Sequence, residues 1–544
     1  MTVAGPRPKA PPARSLADVA EWLGLPTPPL AGSSSAPPEP VVTGVCLDSR
    51  TVRPGDLYAA LPGEHTHGAR FAAGAVDRGA VAILTDPAGS ALIDAAVDGD
   101  SGVAAASASR LVVADPRAVL GEVSAYLYGN AVTDGGAGLT LVGVTGTNGK
   151  TTTAYLLDGA LAALGVRTGL IGTVETRVAN ERIRSARTTP EAPDLHALIA
   201  TMRERAVATC VMEVSSHALT LHRVDGLLFD LALFTNLSQD HLDMHGTMED
   251  YFAAKSSLFT PQRARAGIVY LADDWGRRLS ELAGIPVVTV GEMPEADYRI
   301  AMNVNGTFRL SGAGADLRAA TSGRQRITVD LTLKSALPGR FNAANTALAA
   351  IALIQLGYAA DDVSRAILTD PHVPGRMEDV SVAGSADRPR GIVDYAHTPD
   401  AVEVALKALR PEAPGGLVVV LGAGGDRDRG KRAAMGAAAA HGARVVVVTD
   451  DNPRSEDPAA IRAAVLQGAR AAGTAARLIE TADRRDAIRR AVAEAMELGG
   501  RGVVVAVVGK GHETGQEIAG VVHPFDDRVE LRAALAAAAP GGSR

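Results

Sequence analysis

Cysteine is almost missing from this chain: there are two in 544 residues, Cys46 and Cys210, far apart in sequence. That excludes a disulfide framework and a zinc-ligand spacing, and it fits a reducing compartment. Lysine is scarce too. Of 54 basic residues seven are lysine: Lys9, Lys150, Lys255, Lys334, Lys407, Lys431 and Lys510. In a chain this biased to arginine, a lysine hints at a place where a planar, permanently charged guanidinium would serve badly. There is no excess of positive charge, the net being −7, which speaks against nucleic acid or an anionic membrane as main partner. No run of roughly eighteen residues is apolar without polar breaks, so no membrane insertion is expected. The opening "MTVAGPRPKAPPARS" lacks the apolar core of a secretion signal. These absences together predict a cytoplasmic protein, and a monomer is the expected assembly.

What is present suffices for large cores. The chain is 47% apolar and 21% charged, over a length that implies about three domains. Residues 1–40 hold ten of the thirty prolines and read as a flexible Pro/Ala-rich lead-in, with a helical pattern only in "SLADVAEWLG". A small α/β domain is expected over 41–138, ending in the Gly-rich linker "AVTDGGAGL". A central domain over 139–372 carries the buried-strand candidates "LTLVGVTG", "TCVMEVSSH", "FDLALFTN" and "AGIVYLADD". These alternate with helical patterns, which implies a largely parallel sheet. A third domain, 373–544, repeats the rhythm in "RGIVDYAH", "GLVVVLGAGG", "ARVVVVTD" and "RGVVVAVVGKG", a Rossmann-like, doubly wound pattern.

The strongest single motif is "GVTGTNGKTTT", residues 143–153, between a strand and a helix. The strict phosphate-loop pattern is missed because position 144 is Val, yet strand–loop–GKT–helix predicts ATP binding. Backbone N–H groups of Gly146, Thr147, Asn148 and Gly149, continuing to Lys150, Thr151 and Thr152, cradle phosphates at a helix N-terminus. Lys150 reaches the terminal phosphates and the Thr151 hydroxyl takes Mg²⁺. No guanine-reading NKxD and no kinase signature occurs. "GAGGDRDRG" fails as a dinucleotide fingerprint because Arg427 stands at the third glycine.

An apolar run ends in Glu213, either a second Mg²⁺ ligand or a strand-end surface acid. "TNLSQDHLDMHG" crowds Asp240, His241, Asp243 and His245 after another strand. His241 is a metal candidate, and a self-satisfied polar loop is the alternative. Lys255 lies on a helix among apolar neighbours, where an ordinary lysine snorkels to solvent. In the third domain Arg454 sits on the turn "DNPR" after a buried strand. It is either a solvated turn charge or a bidentate clamp for a carboxylate or phosphate.

"GTNGKTTT", "EVSSHAL", "TNLSQDHLDMHG", "PGRFNAANTALAA", "PGRMEDV", "VDYAHTPDA", "GAGGDRDRGKR", "DNPRSEDP" and "GKGHE" occur in this order. With them the chain resembles the Mur ligase family, and within it the branch that makes the UDP-MurNAc-tripeptide, over residues 41–535. The resemblance implies three α/β domains: an N-terminal one for UDP, a central ATPase and a C-terminal one for the amino acid. It implies an ATP-dependent ligase of peptidoglycan precursor synthesis. Such a ligase joins diaminopimelate to the D-Glu γ-carboxylate of UDP-MurNAc-L-Ala-D-Glu through an acyl phosphate. Matched position by position, Ser49, His65, Thr66, Thr188, Thr189, Ser215 and Arg223 bind the nucleotide-sugar dipeptide. Asn342, Asn345, Arg376 and Asp394 join the ATP site. Thr151, Glu213, His241 and Lys255 surround metal, with two Mg²⁺ and Lys255 as a CO₂-derived carbamate. His217 stands at the reacting carboxylate, as a helper or as a neutral structural group. Arg427, Asp451, Asn452, Pro453, Arg454, Gly509 and Glu513 form the diaminopimelate pocket. Many relatives carry Asn and Gln where this chain has Arg187 and Leu221. Lysine lacks the distal carboxylate and is expected to leave Arg454 buried and unpaired, a cost of roughly 2–5 kcal/mol. The competing readings are a lysine-adding or folylpolyglutamate-synthase-like ligase, and a phosphate-loop protein without ligase activity.

Overall fold

The computed structural model describes residues 5–26, 40–96, 108–131, 138–183, 187–303, 306–318, 325–382 and 387–538. Three sheets follow one another along the chain. The first has four parallel strands in sequence order: Gly44–Cys46, Asp56–Ala59, Ala82–Thr85 and Arg110–Val112. The second is built around parallel strands in the order Thr168–Ile171, Thr209–Glu213, Thr140–Thr145, Leu231–Phe234, Gly267–Tyr270 and Val287–Gly291. The phosphate-loop strand is therefore central, flanked on both sides, and its carboxyl end opens onto the ligand crevice expected of such sheets. The third sheet pairs Arg390–Asp394, Val503–Val508, Gly416–Leu421, Val445–Val448 and Arg477–Glu480 in parallel. Its valine-rich strands are buried outright, with separate apolar cores on the two faces, as a doubly wound sheet requires.

Two features depart from the pattern read in the sequence. The central sheet has eleven strands, and its edges are antiparallel: Thr176–Val178 with Glu181–Ile183 at one end, and Tyr298–Met302, Thr307–Ala315 and Arg326–Lys334 at the other. "RITVDLTLK" alternates polar and apolar, the mark of a half-exposed antiparallel strand, whereas the parallel interior reads as continuous apolar runs. The lead-in is also more than a flexible tail. Leu16–Trp22 is a helix with a capping box between Ser15 and Asp18, and Arg14–Ser15 pairs with Val41–Val42. Leu16, Val19 and Ala20 are buried in the core of the first sheet together with Ala192, Ala197 and Ala200. Ordered structure tied to the first domain thus begins well before residue 41. The remainder of the lead-in, 27–39, and most of the linker, 132–137, lie outside the described residues.

Helix Arg340–Gln355 is buried almost all round and packs along Lys150–Ala163. This brings Asn342 and Asn345 to the phosphate loop, far from it in sequence.

Candidate active site

Two glycines shape the phosphate loop. Gly146 has φ +143° and Gly149 φ +87°. A Cβ on Gly146 would lie 1.9 Å from Thr235 Oγ1, and one on Gly149 2.6 Å from Asn345 Oδ1. Thr235 and Asn345 thus approach the loop too closely at these two positions for a side chain. The Lys150 ammonium folds back onto the carbonyls of Gly146 (3.0 Å) and Thr147 (2.9 Å). Burial lowers its pKa, against the pull of Glu213. Thr147 bonds to Ser238 O and to the Tyr251 hydroxyl, 3.2 Å each, and so holds the loop.

Glu213 ends a fully buried strand and is 1% exposed. It accepts from Thr151 Oγ1 at 2.9 Å and from the Thr173 N–H at 2.8 Å. From the third domain, Arg376 donates to Thr151 Oγ1 at 3.1 Å. Asp394, beside it, accepts from the N–H groups of Met377 (2.7 Å) and Ala396 (2.8 Å). A cavity of about 470 Å³ is lined by Asn148, Gly149, Asn342, Asn345, Arg376 and Asp394, all expected on the nucleotide. Phe341, Tyr270 and His397 line it as well and were not legible as site residues in the sequence.

On the other side of the loop, Lys255 is 1% exposed. Its ammonium donates to Gly146 O at 2.8 Å and lies 4.6 Å from the centre of the Tyr251 ring. Burial, then the charge of Lys150, holds its pKa well below the ordinary lysine value. This lysine does not snorkel. His241, in a left-handed turn with φ +54°, meets His217 ring to edge at 4.8 Å. Burial pushes the His241 imidazole down against the pull of Asp240, leaving it neutral, the form that binds a metal. His245 bonds to Ser216 Oγ at 3.0 Å and settles into a local role. The four expected metal residues thus divide into a bonded Thr151–Glu213 pair and the separate His241 and Lys255. Among the described residues no group of three or more His, Cys, Asp and Glu could hold a metal ion. A divalent ion at Thr151 and Glu213 would complete its shell with water and phosphate oxygens, which suits Mg²⁺.

A second cavity, of about 720 Å³, opens on the first domain and is lined by Ser49 and Thr66. His65 is exposed and not on its wall. The neighbouring His67 is instead the one held in place, bonded to Asp86 at 3.1 Å.

A third cavity, of about 490 Å³, lies between the second and third domains. Thr188, Thr189, Ser215, His217 and Arg223 line it from the central side. Arg427, Asp451, Asn452, Arg454, Gly509 and Glu513 line it from the other. Asp428 and Lys431 join them, unforeseen. Pro453 is behind the wall, its carbonyl 1.9 Å from where a Cβ on Gly425 would be. Gly509, at φ +115°, passes so close to Asp451 that a Cβ would lie 2.5 Å from its carboxylate.

Arg454 adopts φ +51°, a left-handed conformation that costs a non-glycine residue about 1–2 kcal/mol. The hairpin Gly515–Ile518 and Val521–Pro524 holds it there: Arg454 N–H donates to Glu517 O at 3.1 Å, and Ala519 N–H to Arg454 O at 2.7 Å. Its guanidinium donates to Gly425 O at 2.5 Å and lies 3.5 Å from the Glu517 carboxylate. With its side chain 23% exposed and so partnered, Arg454 is not left buried and unpaired without ligand. The expected penalty against lysine is accordingly smaller than an orphaned charge implies. Behind it, fully buried Lys510 donates to Asn452 Oδ1 and Glu513 Oε2, 2.9 Å each, and Asn452 Nδ2 donates to the same Glu513 oxygen at 2.9 Å. The sequence offered one clue to this triangle, the rarity of lysine.

The chain matches three family models in turn: "Mur ligase family, catalytic domain" over 41–128, "Mur ligase middle domain" over 144–354, and "Mur ligase, glutamate ligase domain" over 375–511. It is 48% identical to a UDP-N-acetylmuramoyl-L-alanyl-D-glutamate–2,6-diaminopimelate ligase of Streptomyces avermitilis, over 98% of this chain and 99% of the relative. It is 45% identical to a UDP-N-acetylmuramyl-tripeptide synthetase of Leifsonia xyli subsp. xyli, over 97% of each. A solved structure of a UDP-N-acetylmuramoyl-L-alanyl-D-glutamate–2,6-diaminopimelate ligase superposes with a TM-score of 0.61 at 31% identity, covering 97% of this chain and 99% of the other.

Proposed function

The chain belongs to the Mur ligase family, and from this we propose that it is an ATP-dependent ligase joining diaminopimelate to the D-Glu γ-carboxylate of UDP-MurNAc-L-Ala-D-Glu. The observation that carries the reading is the third cavity, where Thr188, Thr189 and Arg223 face Asn452, Arg454 and Glu513 across one space. An acceptor carboxylate held on one wall meets an amine held on the other, with the phosphate loop alongside.

In this reading ATP phosphorylates the γ-carboxylate, the free amine of diaminopimelate attacks the acyl phosphate, and the tetrahedral adduct collapses to amide and inorganic phosphate. The protein's work is positioning and charge neutralisation. Lys150 leaves its two carbonyls for the terminal phosphates, and Arg376 reaches the same place from the third domain. Thr151 and Glu213 would hold Mg²⁺, which would supply further neutralisation of the phosphates, and His241 with a modified Lys255 would hold a second ion. The depressed pKa of Lys255 supports the modification: a neutral amine adds to CO₂, releasing a proton and leaving a carbamate anion. His217, on the cavity wall with burial holding its pKa down, serves as a neutral hydrogen-bonding partner for the reacting carboxyl. At the far end Arg454 takes the distal carboxylate in a bidentate pair and Glu513 the distal ammonium. Among the described residues no helix is long and apolar enough to cross a membrane. We place the enzyme in the cytoplasm as a monomer, where ATP and both cysteines' reduced state are available.

Phosphate release from ATP with UDP-MurNAc-L-Ala-D-Glu and meso-diaminopimelate, LL-diaminopimelate or L-lysine tests the reading. Release with a diaminopimelate is expected, and the favoured isomer fixes the stereochemistry. Release with L-lysine alone would sink the role of Arg454. No release with any amino acid would sink the ligase reading.

A further inference from the structure

Loop 509–513 puts Glu513 on the wall of the third cavity and Lys510 behind it. His512, between them in sequence, is not on that wall. Its ring lies 5.3 Å from the Tyr395 ring, and the Arg376 guanidinium lies 4.4 Å over the centre of the same Tyr395 ring. Tyr395 lines both the nucleotide cavity and the cavity of Arg454. The backbone leaves no slack here. Gly375 has φ +64° and Gly511 φ +53°. A Cβ on Gly375 would lie 2.1 Å from His512 N, and one on Gly511 2.8 Å from Tyr395 Cβ. The turn that carries Arg376 and the loop that carries His512 are thus pressed together backbone to backbone.

His512 reaches the second domain as well. Burial, then the charges of Arg376 and Arg528, lower its pKa to about 4, while a hydrogen bond with the Thr173 backbone pulls the other way. The ring is therefore neutral. Thr173 donates its N–H to Glu213 at 2.8 Å and its hydroxyl to the same carboxylate at 3.1 Å, and that hydroxyl lies 3.0 Å from the Thr188 hydroxyl. Both routes from His512 end on one pair. Through Tyr395 and Arg376 the path ends at Thr151 Oγ1, 3.1 Å away. Through Thr173 it ends at Glu213, which bonds to Thr151 at 2.9 Å. Arg376 has a long flexible stem, and its Nε is buried without a hydrogen-bond partner. Its aim depends on the ring beneath it, and that ring is flanked by His512 and by His397 at 4.7 Å.

We propose that His512 is a positioning residue for the Thr151–Glu213 pair. From the amino-acid loop it fixes Arg376 and Thr173, and through them the place where Mg²⁺ and the terminal phosphate of a nucleotide bind. It touches neither the nucleotide nor the amino acid, whereas its loop neighbours Lys510 and Glu513 act on the amino-acid wall. The inference rests on the ligase reading for the reaction it serves but is tested apart from it.

The test is calorimetric titration of the full chain with ADP, once with Mg²⁺ and once with a chelator. In wild type Mg²⁺ tightens ADP binding. In His512→Ala that tightening is expected to shrink about tenfold, the scale on which outer partners of a metal site act, while metal-free ADP binds as before. His512→Phe keeps a ring on Tyr395 without the Thr173 bond. It is expected to lose only part of the tightening, and it carries the test where the alanine variant does not fold. In turnover, kcat falls about tenfold with His512→Ala while KM for diaminopimelate stays within about twofold. Tightening by Mg²⁺ that is unchanged in both variants overturns the proposal. So does an equal loss with and without Mg²⁺, which is what general loosening produces. A rise in KM for diaminopimelate with kcat held makes His512 an amino-acid contact and overturns it too. Loss of the Mg²⁺ tightening in a protein that releases no phosphate with any amino acid leaves the positioning role standing and overturns the ligase reading.

Discussion

Lys255 and Lys510 are both fully buried, at 1% and 0% exposure, and they sit in opposite surroundings. Lys510 in the third domain has a carboxylate and an amide oxygen at 2.9 Å. Lys255 in the second has a backbone carbonyl and the face of Tyr251, with a second lysine charge nearby. A buried cation without an anion is expensive, and the group yields by losing its proton. The same residue type thus meets a carboxylate at hydrogen-bond distance in one pocket and a backbone carbonyl in the other, where burial lowers its pKa. Lys510 holds Asn452 and Glu513 together on the wall of the third cavity. Conversion of Lys255 to a carbamate, as proposed, would bring an anion to its own site.

The contrast breaks most visibly at Lys255. Lys255→Ala is expected to lower turnover by about a thousandfold, the scale of removing a preorganised charge from a transition state. High CO₂ should not restore it, while short carboxylic acids should in part. A fully active variant would remove the carbamate from the mechanism. Lys510→Met is expected to act on one substrate alone. KM for diaminopimelate should rise about thirtyfold, roughly 2 kcal/mol, as Asn452 and Glu513 lose their common anchor. KM for ATP should stay put, and equal changes in both would make Lys510 a fold element only.

The smallest effect sharpens the comparison by its sign. In CO₂-free buffer Lys255→Met should raise the thermal midpoint, by about 2 °C for roughly 1 kcal/mol, whereas Lys510→Met should lower it. With the folded pKa of Lys255 depressed, the unfolded chain binds more protons between that value and the ordinary lysine range. The wild type should therefore gain stability as pH rises through that window and lose it as pH falls toward the folded pKa. Lys255→Met should lack this slope. Midpoints of the two chains against pH decide it, and parallel curves would count against a depressed lysine.

The phosphate loop was readable because its demands are local: two left-handed glycines, a lysine and a hydroxyl at fixed spacing. Arg454 was readable for a related reason, since a turn after a buried strand faces the ligand end of a parallel sheet. Its pre-existing partners, Gly425 and Glu517, were not, because the hairpin that supplies Glu517 pairs with that turn only in the fold. The antiparallel edge strands were missed although their alternation was present, since attention to apolar runs favours the buried interior. The lead-in helix was visible as a pattern, but its burial depends on Ala197 and Ala200, some 180 residues on. His65 lies off the cavity wall for the converse reason: a motif position says nothing about which of two neighbouring side chains a loop turns inward.

By itself the sequence determined the class of sheet, the nucleotide loop, the family and the turn that carries Arg454. Each is written in short-range periodicity, in backbone conformations open to particular residues, or in motifs whose spacing survives along the chain. Tertiary structure alone decided that Thr188 and Arg454 face one cavity, that Lys510 gathers Asn452 and Glu513, and that His512 meets Tyr395 and Thr173. Those meetings join separate elements, and in the first and last case separate domains. What brings them together is the summed burial of apolar faces between domains, a quantity spread over hundreds of residues and held by no single motif.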